Sequence, residues 1–162
     1  MYSEFMGWLE NSALGHLMRD TGLWTYAAVN LTHILGVATL FGSILVLDLR
    51  LLGVWKQVPL SALSGPAVTL ASVGLAVAAI TGPGLLATKA TEYVGNLFLY
   101  IKFPAIALGL LNVLIVHNSS AWKAHRSREL TGPERSRLAL FGGTSLACWL
   151  TAITAGRMIA YW

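Results

Sequence analysis

Few residues in this chain have chemistry to offer, and four of them fall inside apolar runs: His33, Thr81, Lys102 and Arg157. Placing an ionisable side chain in hydrocarbon costs about 3 kcal/mol even on insertion scales, so His33, Lys102 and Arg157 are functional candidates by position. A neutral imidazole offers one lone-pair nitrogen to a metal and one N–H to an acceptor. An ammonium and a guanidinium attract carboxylates and other anions. An interior histidine with two cations and hydroxyls above it suits a haem b, whose iron takes the imidazole and whose propionates meet Arg157 or Lys102. The same set suits the headgroup of an anionic lipid or a quinone. The sequence has no Ser/His/Asp set, no His-Glu-x-x-His and no glycine-rich phosphate loop, which leaves soluble hydrolase and nucleotide chemistry without a basis.

The elements that carry these residues follow from composition and hydropathy. Of 162 residues, 56% are hydrophobic and 11% charged, against about 45–50% and 25% in ordinary globular chains. Each of four apolar stretches has the roughly 20 residues that a bilayer core requires. They predict spans at about 24–47, 66–87, 97–118 and 138–161. Residues 3–18 mix Phe5, Trp8, Leu9 and Leu14 with Glu4, Glu10 and Asn11. That pattern is too polar to span and predicts a short helix lying at the interface. Arg19-Asp20-Thr21-Gly22 should break it. Thr81-Gly82-Pro83-Gly84 should kink or loosen the end of the second span. The expected fold is therefore all-α, a four-transmembrane-helix bundle preceded by a short N-terminal interfacial helix, with residues 1–162 as one integral membrane domain. Six glycines in the spans, Gly36, Gly42, Gly74, Gly109, Gly142 and Gly143, would let helices approach closely.

Loop charges set the expected orientation. Arg50, Lys56, Lys123, Arg126, Arg128, Arg135 and Arg137 follow the first and third spans, so those loops are expected to be cytoplasmic and both termini outside. In a bacterium this is the inner membrane with periplasmic ends. No signal peptide is read at the N-terminus. The formal charge of +4 is concentrated in these loops and implies no nucleic acid. Cys148 is the lone cysteine and reads as a small core residue.

With about 1.5 Å of rise per residue, His33 lies roughly 13 Å below the outer edge, Thr81 roughly 10 Å, Lys102 roughly 7 Å and Arg157 roughly 6 Å. Tyr26, Asn30 and His33 share a helix face, as do Thr154, Arg157 and Tyr161. The expected site is a pocket in the outer half formed by His33, Lys102, Arg157, Thr81, Asn30 and Tyr26, with His33 and Lys102 as candidate metal ligands. Asp48, Arg50 and His117 are expected to form an ion-pair network at the cytoplasmic edge. His117 lies roughly 15 Å or more from the depth of His33 and belongs to no common ligand sphere.

The run His33-Ile34-Leu35-Gly36, then Phe41-Gly42-Ser43 and Asp48-Leu49-Arg50, then Leu99-Tyr100-Ile101-Lys102 with Asn112 and His117 further on, resembles four-helix membrane proteins. These include the HemJ-type protoporphyrinogen oxidases and the membrane domain of CopD-type copper-resistance proteins. Val116 precedes His117 where the HemJ type tends to have tyrosine. The chain is more similar still to an uncharacterised bacterial family of small four-helix membrane proteins, through the closing Ala155-Gly156-Arg157-Met158-Ile159-Ala160-Tyr161. The resemblance implies a b-type haem, with the HemJ type's essential histidine and lysine carried onto His33 and Lys102.

The expected function is that of a membrane haem b protein in electron transfer, meeting the lipid bilayer and a quinone or periplasmic redox partner. If it is an enzyme, it is a haem-dependent membrane oxidoreductase. One alternative is the handling or transport of copper or another small solute, with Met158, Met18 and His16 as further donors. The other is a structural subunit of a larger membrane complex or homo-oligomer, packed through the low-bulk second span.

Overall fold

The computed structural model describes residues 2–162, and the described residues form helices, turns and loops without a strand. Their order is α1 (Tyr2–Glu10), α2 (Ala13–Asp20), α3 (Leu23–Leu51), α4 (Leu60–Ala87), a 3₁₀ turn (Ala90–Tyr93), α5 (Leu97–Asn118), α6 (Ser120–Ala124), α7 (Gly132–Met158) and a closing 3₁₀ turn (Ile159–Tyr161). Four helical stretches, Leu23–Leu51, Leu60–Ala87, Leu97–Asn118 and Gly132–Tyr161, are long and apolar enough to cross a membrane. The fold class is thus the one composition and hydropathy predict.

Differences lie at the helix ends. The N-terminal segment is two helices rather than one. Asn11 turns its amide back to the carbonyl of Gly7 at 2.8 Å, and the Ser12 hydroxyl accepts the backbone N–H of Gly15 at 3.2 Å to start a new helix. A serine that satisfies an orphan N–H in this way sets a helix boundary. Gly22 then takes φ +87°, the left-handed conformation that ends α2.

α4 and α7 each begin six residues before the apolar stretch that predicts them. Hydropathy registers only the part of a helix that sits in hydrocarbon, and polar first turns continue outward. In α7 that turn holds Pro133, whose fixed φ suits the start of a helix. The Glu134 carboxylate beside it accepts from the Thr131 backbone N–H at 2.8 Å and from Arg128 at 2.7 Å. α4 runs without interruption through Pro83 to Ala87.

The chain divides into two compact units, one comprising residues 1–40 and 72–96, the other 41–71 and 97–162. In the first, α1 and α2 fold onto the C-terminal part of α4 and the 3₁₀ turn. Met6, Met18, Ala87 and Ala90 are buried there. Arg19 donates to the carbonyls of Glu10 at 2.7 Å, Thr88 at 3.3 Å and Ala87 at 3.4 Å. A guanidinium thus covers carbonyls that the end of α4 leaves unpaired. The Glu10 carboxylate accepts from the backbone N–H and the hydroxyl of Thr91 at 2.7 and 2.6 Å. Those bonds, the hydroxyl's foremost, hold its pKa below the usual carboxylate range.

In the second unit, Val116, Ala121, Trp122 and Leu138 form a buried cluster. Leu47, Leu51, Leu60, Val68, Leu130 and Phe141 pack against it. α5 and α7 lie close along their length, because Gly109 has no side chain to hold off the indole of Trp149: a Cβ there would stand 3.2 Å from the ring.

Candidate site around the membrane histidine

The first unit places His33 against α4 through an approach that only glycine permits. At Gly74 a Cβ would lie 2.4 Å from the backbone nitrogen of Leu40 and 2.6 Å from the carbonyl oxygen of Gly36. Backbone meets backbone at that point. About two turns further along α4, Thr81 and Gly82 come level with His33. Gly82 leaves room for the ring edge, with its Cβ position 3.4 Å from Cε1. His33 Nδ1 lies 2.8 Å from Thr81 Oγ1.

The direction of that bond follows from its neighbour. Thr81 Oγ1 is also 2.7 Å from the carbonyl oxygen of Val77, to which it donates. A hydroxyl has one proton, and a carbonyl can only accept. The Thr81 oxygen therefore accepts from His33, so Nδ1 carries the imidazole proton and Nε2 is the lone-pair nitrogen. A metal-binding histidine needs this arrangement, in which an outer hydrogen bond fixes the tautomer and orients the ring.

The other residues expected at the site divide between the units. Tyr26 and Asn30 are half-buried on α3 in the same unit as His33 and Thr81, and Tyr26 lies near Tyr93 and Lys89. Lys102 and Arg157 belong to the second unit. There the Lys102 amine is drawn along α7, with Nζ 3.3 Å from the position a Gly156 Cβ would take. Arg157 is exposed, hydrogen-bonds the Tyr161 hydroxyl and stacks over its ring, 4.9 Å from the centroid. Lys102 thus reaches from α5 to the residue that precedes Arg157 on α7. Neither has a carboxylate partner among the described residues.

The cytoplasmic-edge network expected from Asp48, Arg50 and His117 does not form. Arg50 turns to the loop that follows α3 and donates to the carbonyls of Val58 at 2.7 Å and Lys56 at 3.3 Å. His117 bonds the Val113 carbonyl at 2.9 Å and packs on Trp122. Asp48 is buried with Ser145 of α7 as its hydrogen-bonding neighbour. Two flexible side chains at a helix end found nearer backbone acceptors, which spacing along one helix cannot reveal.

Sequence reasoning overlooked His125. It reads as part of a basic loop, yet it is 7% exposed, and its Nε2 lies 2.8 Å from the hydroxyl of Ser64, which is fully buried. Its Nδ1 donates to the carbonyl of Trp122. The available signal was Trp122-x-x-His125, a spacing that brings both rings to one side of a helical turn; their centroids are 4.6 Å apart.

An all-α chain with four apolar helices of membrane-crossing length is compatible with an integral membrane protein. The chain belongs to the family described as "Family of unknown function (DUF6644)", which it matches over residues 5–162. Among curated proteins and among solved structures, none matches it.

Proposed function

We propose that this chain is an integral membrane haem b protein with an electron-transfer role, and that His33 would hold its iron. The observation that carries the reading is the relay from His33 Nδ1–H to the Thr81 hydroxyl and on to the Val77 carbonyl. It fixes the tautomer that presents Nε2 as a donor. The likeness to HemJ-type and CopD-type proteins rests on the quoted residues alone.

The donor set fits a haem better than a bare metal ion. No group of three or more His, Cys, Asp or Glu side chains is gathered for a metal among the described residues. A free copper or zinc ion needs about that many protein donors, whereas a haem brings four nitrogens and asks the protein for one or two. When bound, the group would supply a one-electron couple between ferric and ferrous iron.

Around it, this chain's residues would act in distinct ways. His33 would hold the metal, and Thr81 would keep the ring from rotating. In this reading both termini would lie on the periplasmic side of a bacterial inner membrane, which the positive loops support.

Oxidised and reduced optical spectra of protein purified in detergent after haem-supplemented expression test the proposal. A Soret band that moves on reduction and disappears in His33→Ala is expected. A folded wild-type protein that stays colourless, or an unchanged spectrum in the variant, overturns it.

A further inference from the structure

The second unit contains a buried acid that the haem reading does not use. Asp48, in the penultimate turn of α3, is 4% exposed, and its Oδ2 has no hydrogen-bond partner. On the facing helix α7, Ser145 is 5% exposed and hydrogen-bonds the carboxyl. Gly142 lets α7 approach so closely that a Cβ there would stand 3.2 Å from the Asp48 carbonyl oxygen. One turn beyond Ser145, Trp149 is 4% exposed, and its indole N–H is likewise without a partner. Ser145 and Trp149 share a face of α7 at i and i+4. An unpaired acceptor on Asp48 and, one turn along α7 from the serine that bonds its carboxyl, an unpaired donor on Trp149 are thus both buried, where leaving either unmade costs about 1–3 kcal/mol.

We propose that Asp48, Ser145 and Trp149 form a buried proton-binding site, in which the carboxyl holds a proton and a water molecule joins Oδ2 to the indole N–H. The alternative neutralising ligand, a metal cation, would have to share the site with the N–H of Trp149, a donor that repels it. Charged side chains offer no substitute. Arg50, two residues along α3, is bound to the carbonyls of Val58 and Lys56. From α7 the neighbours are Gly142 and Ser145. On α5, Asn112 gives its amide to the Phe141 carbonyl at 3.1 Å. His117 and His125 are packed on Trp122. An isolated carboxylate in apolar surroundings is neutralised rather than left charged. When the site discharges, the carboxyl O–H breaks, the proton passes to the bridging water, and the carboxylate keeps the electron pair.

The chain has only two aspartates, Asp20 and Asp48, and the Asp20 side chain is exposed. Infrared spectra of the full chain in liposomes, with carbonyl-labelled aspartate, therefore report the site almost alone. At neutral pH the expected result is a carboxylic-acid C=O band that shifts in heavy water, persists in Asp20→Asn and is lost in Asp48→Asn. Ser145→Ala and Trp149→Phe, which keep most of the packing, should each move that band without abolishing it. They keep the test decisive should Asp48→Asn not fold. Labelled aspartate that gives only carboxylate bands at neutral pH, or a band indifferent to both partner variants, overturns the proposal.

Discussion

Two histidines in this molecule each meet one hydroxyl at 2.8 Å, and the two bonds run in opposite directions. At His33 the Thr81 proton is committed to the Val77 carbonyl, so the hydroxyl accepts from Nδ1. At His125 the Nδ1 proton is committed to the Trp122 carbonyl, so Nε2 must accept from Ser64. Both rings carry their proton on Nδ1. In His125 the serine uses the lone pair, and the imidazole is a structural clamp. In His33 the threonine engages Nδ1 instead of Nε2, and the imidazole is a candidate ligand. One carbonyl, placed behind the hydroxyl or behind the ring, separates a site from a fastener.

Breaking the first pair without touching the second is the largest expected effect. Gly74→Ala puts a carbon where two backbone atoms already stand within 2.6 Å, and should destabilise the protein by about 3 kcal/mol or more. Because α3 and α4 must separate there, it should also detach His33 from Thr81, while the His125–Ser64 pair keeps its signals in nitrogen NMR. Thermal unfolding in detergent measures the stability loss. Tolerance of alanine would refute the backbone contact.

Removing the rings should give opposite profiles. His125→Ala strands the hydroxyl of a fully buried serine, and should cost about 2–3 kcal/mol. His33 is half-buried, so His33→Ala should cost about 1 kcal/mol while abolishing haem uptake. Equal stability losses with equal spectra would erase the distinction between clamp and ligand.

Acid should act on the clamp. Burial, above all, holds the His125 pKa below the ordinary imidazole value against the raising pull of its bond to the Trp122 carbonyl, and the nearby Arg126 and His117 add to the lowering. The unfolded chain then binds the proton more readily than the folded one, so stability rises with pH. It is fully present above about pH 6.5, the unfolded value, and is lost as the pH falls toward the lower folded value. Unfolding followed between pH 8 and 5 should show the wild type losing stability on acidification and His125→Gln losing less. A parallel decline in the two would remove His125 from the explanation.

How much of this was legible in the sequence differs between the same two regions. Hydropathy located the four long helices, and helical rise placed His33 and Thr81 at nearby depths on adjacent spans. Their similar depth was readable because each lies in a regular helix of known pitch, although the hydrogen bond between them was not. The Ser64–His125 pair was not. Ser64 precedes the apolar run from which the second span was read, and His125 lies among lysines and arginines in a loop whose path no periodicity describes. Asp48 was misassigned for a related reason. A carboxyl two residues from an arginine invites an ion pair, but successive positions on a helix point apart. The face that Asp48 presents is settled by Gly142 and Ser145 of α7, about a hundred residues away in sequence.

The subtlest prediction bears on the direction of the threonine bond. Thr81→Val keeps the branched shape and removes the hydroxyl, so packing should hold and the stability loss should be about 1 kcal/mol. The imidazole loses the acceptor that fixed its proton on Nδ1. With four histidines in the chain, ring-nitrogen NMR resolves the tautomer of each. In the wild type His33 and His125 should both show the Nδ1–H form. In Thr81→Val, His33 alone should shift toward a mixture with Nε2–H, because nothing in the relay then distinguishes the two nitrogens. A tautomer that stays on Nδ1 without the hydroxyl would mean that another contact sets it, and the threonine would then be a packing neighbour of His33 rather than the residue that makes it a donor.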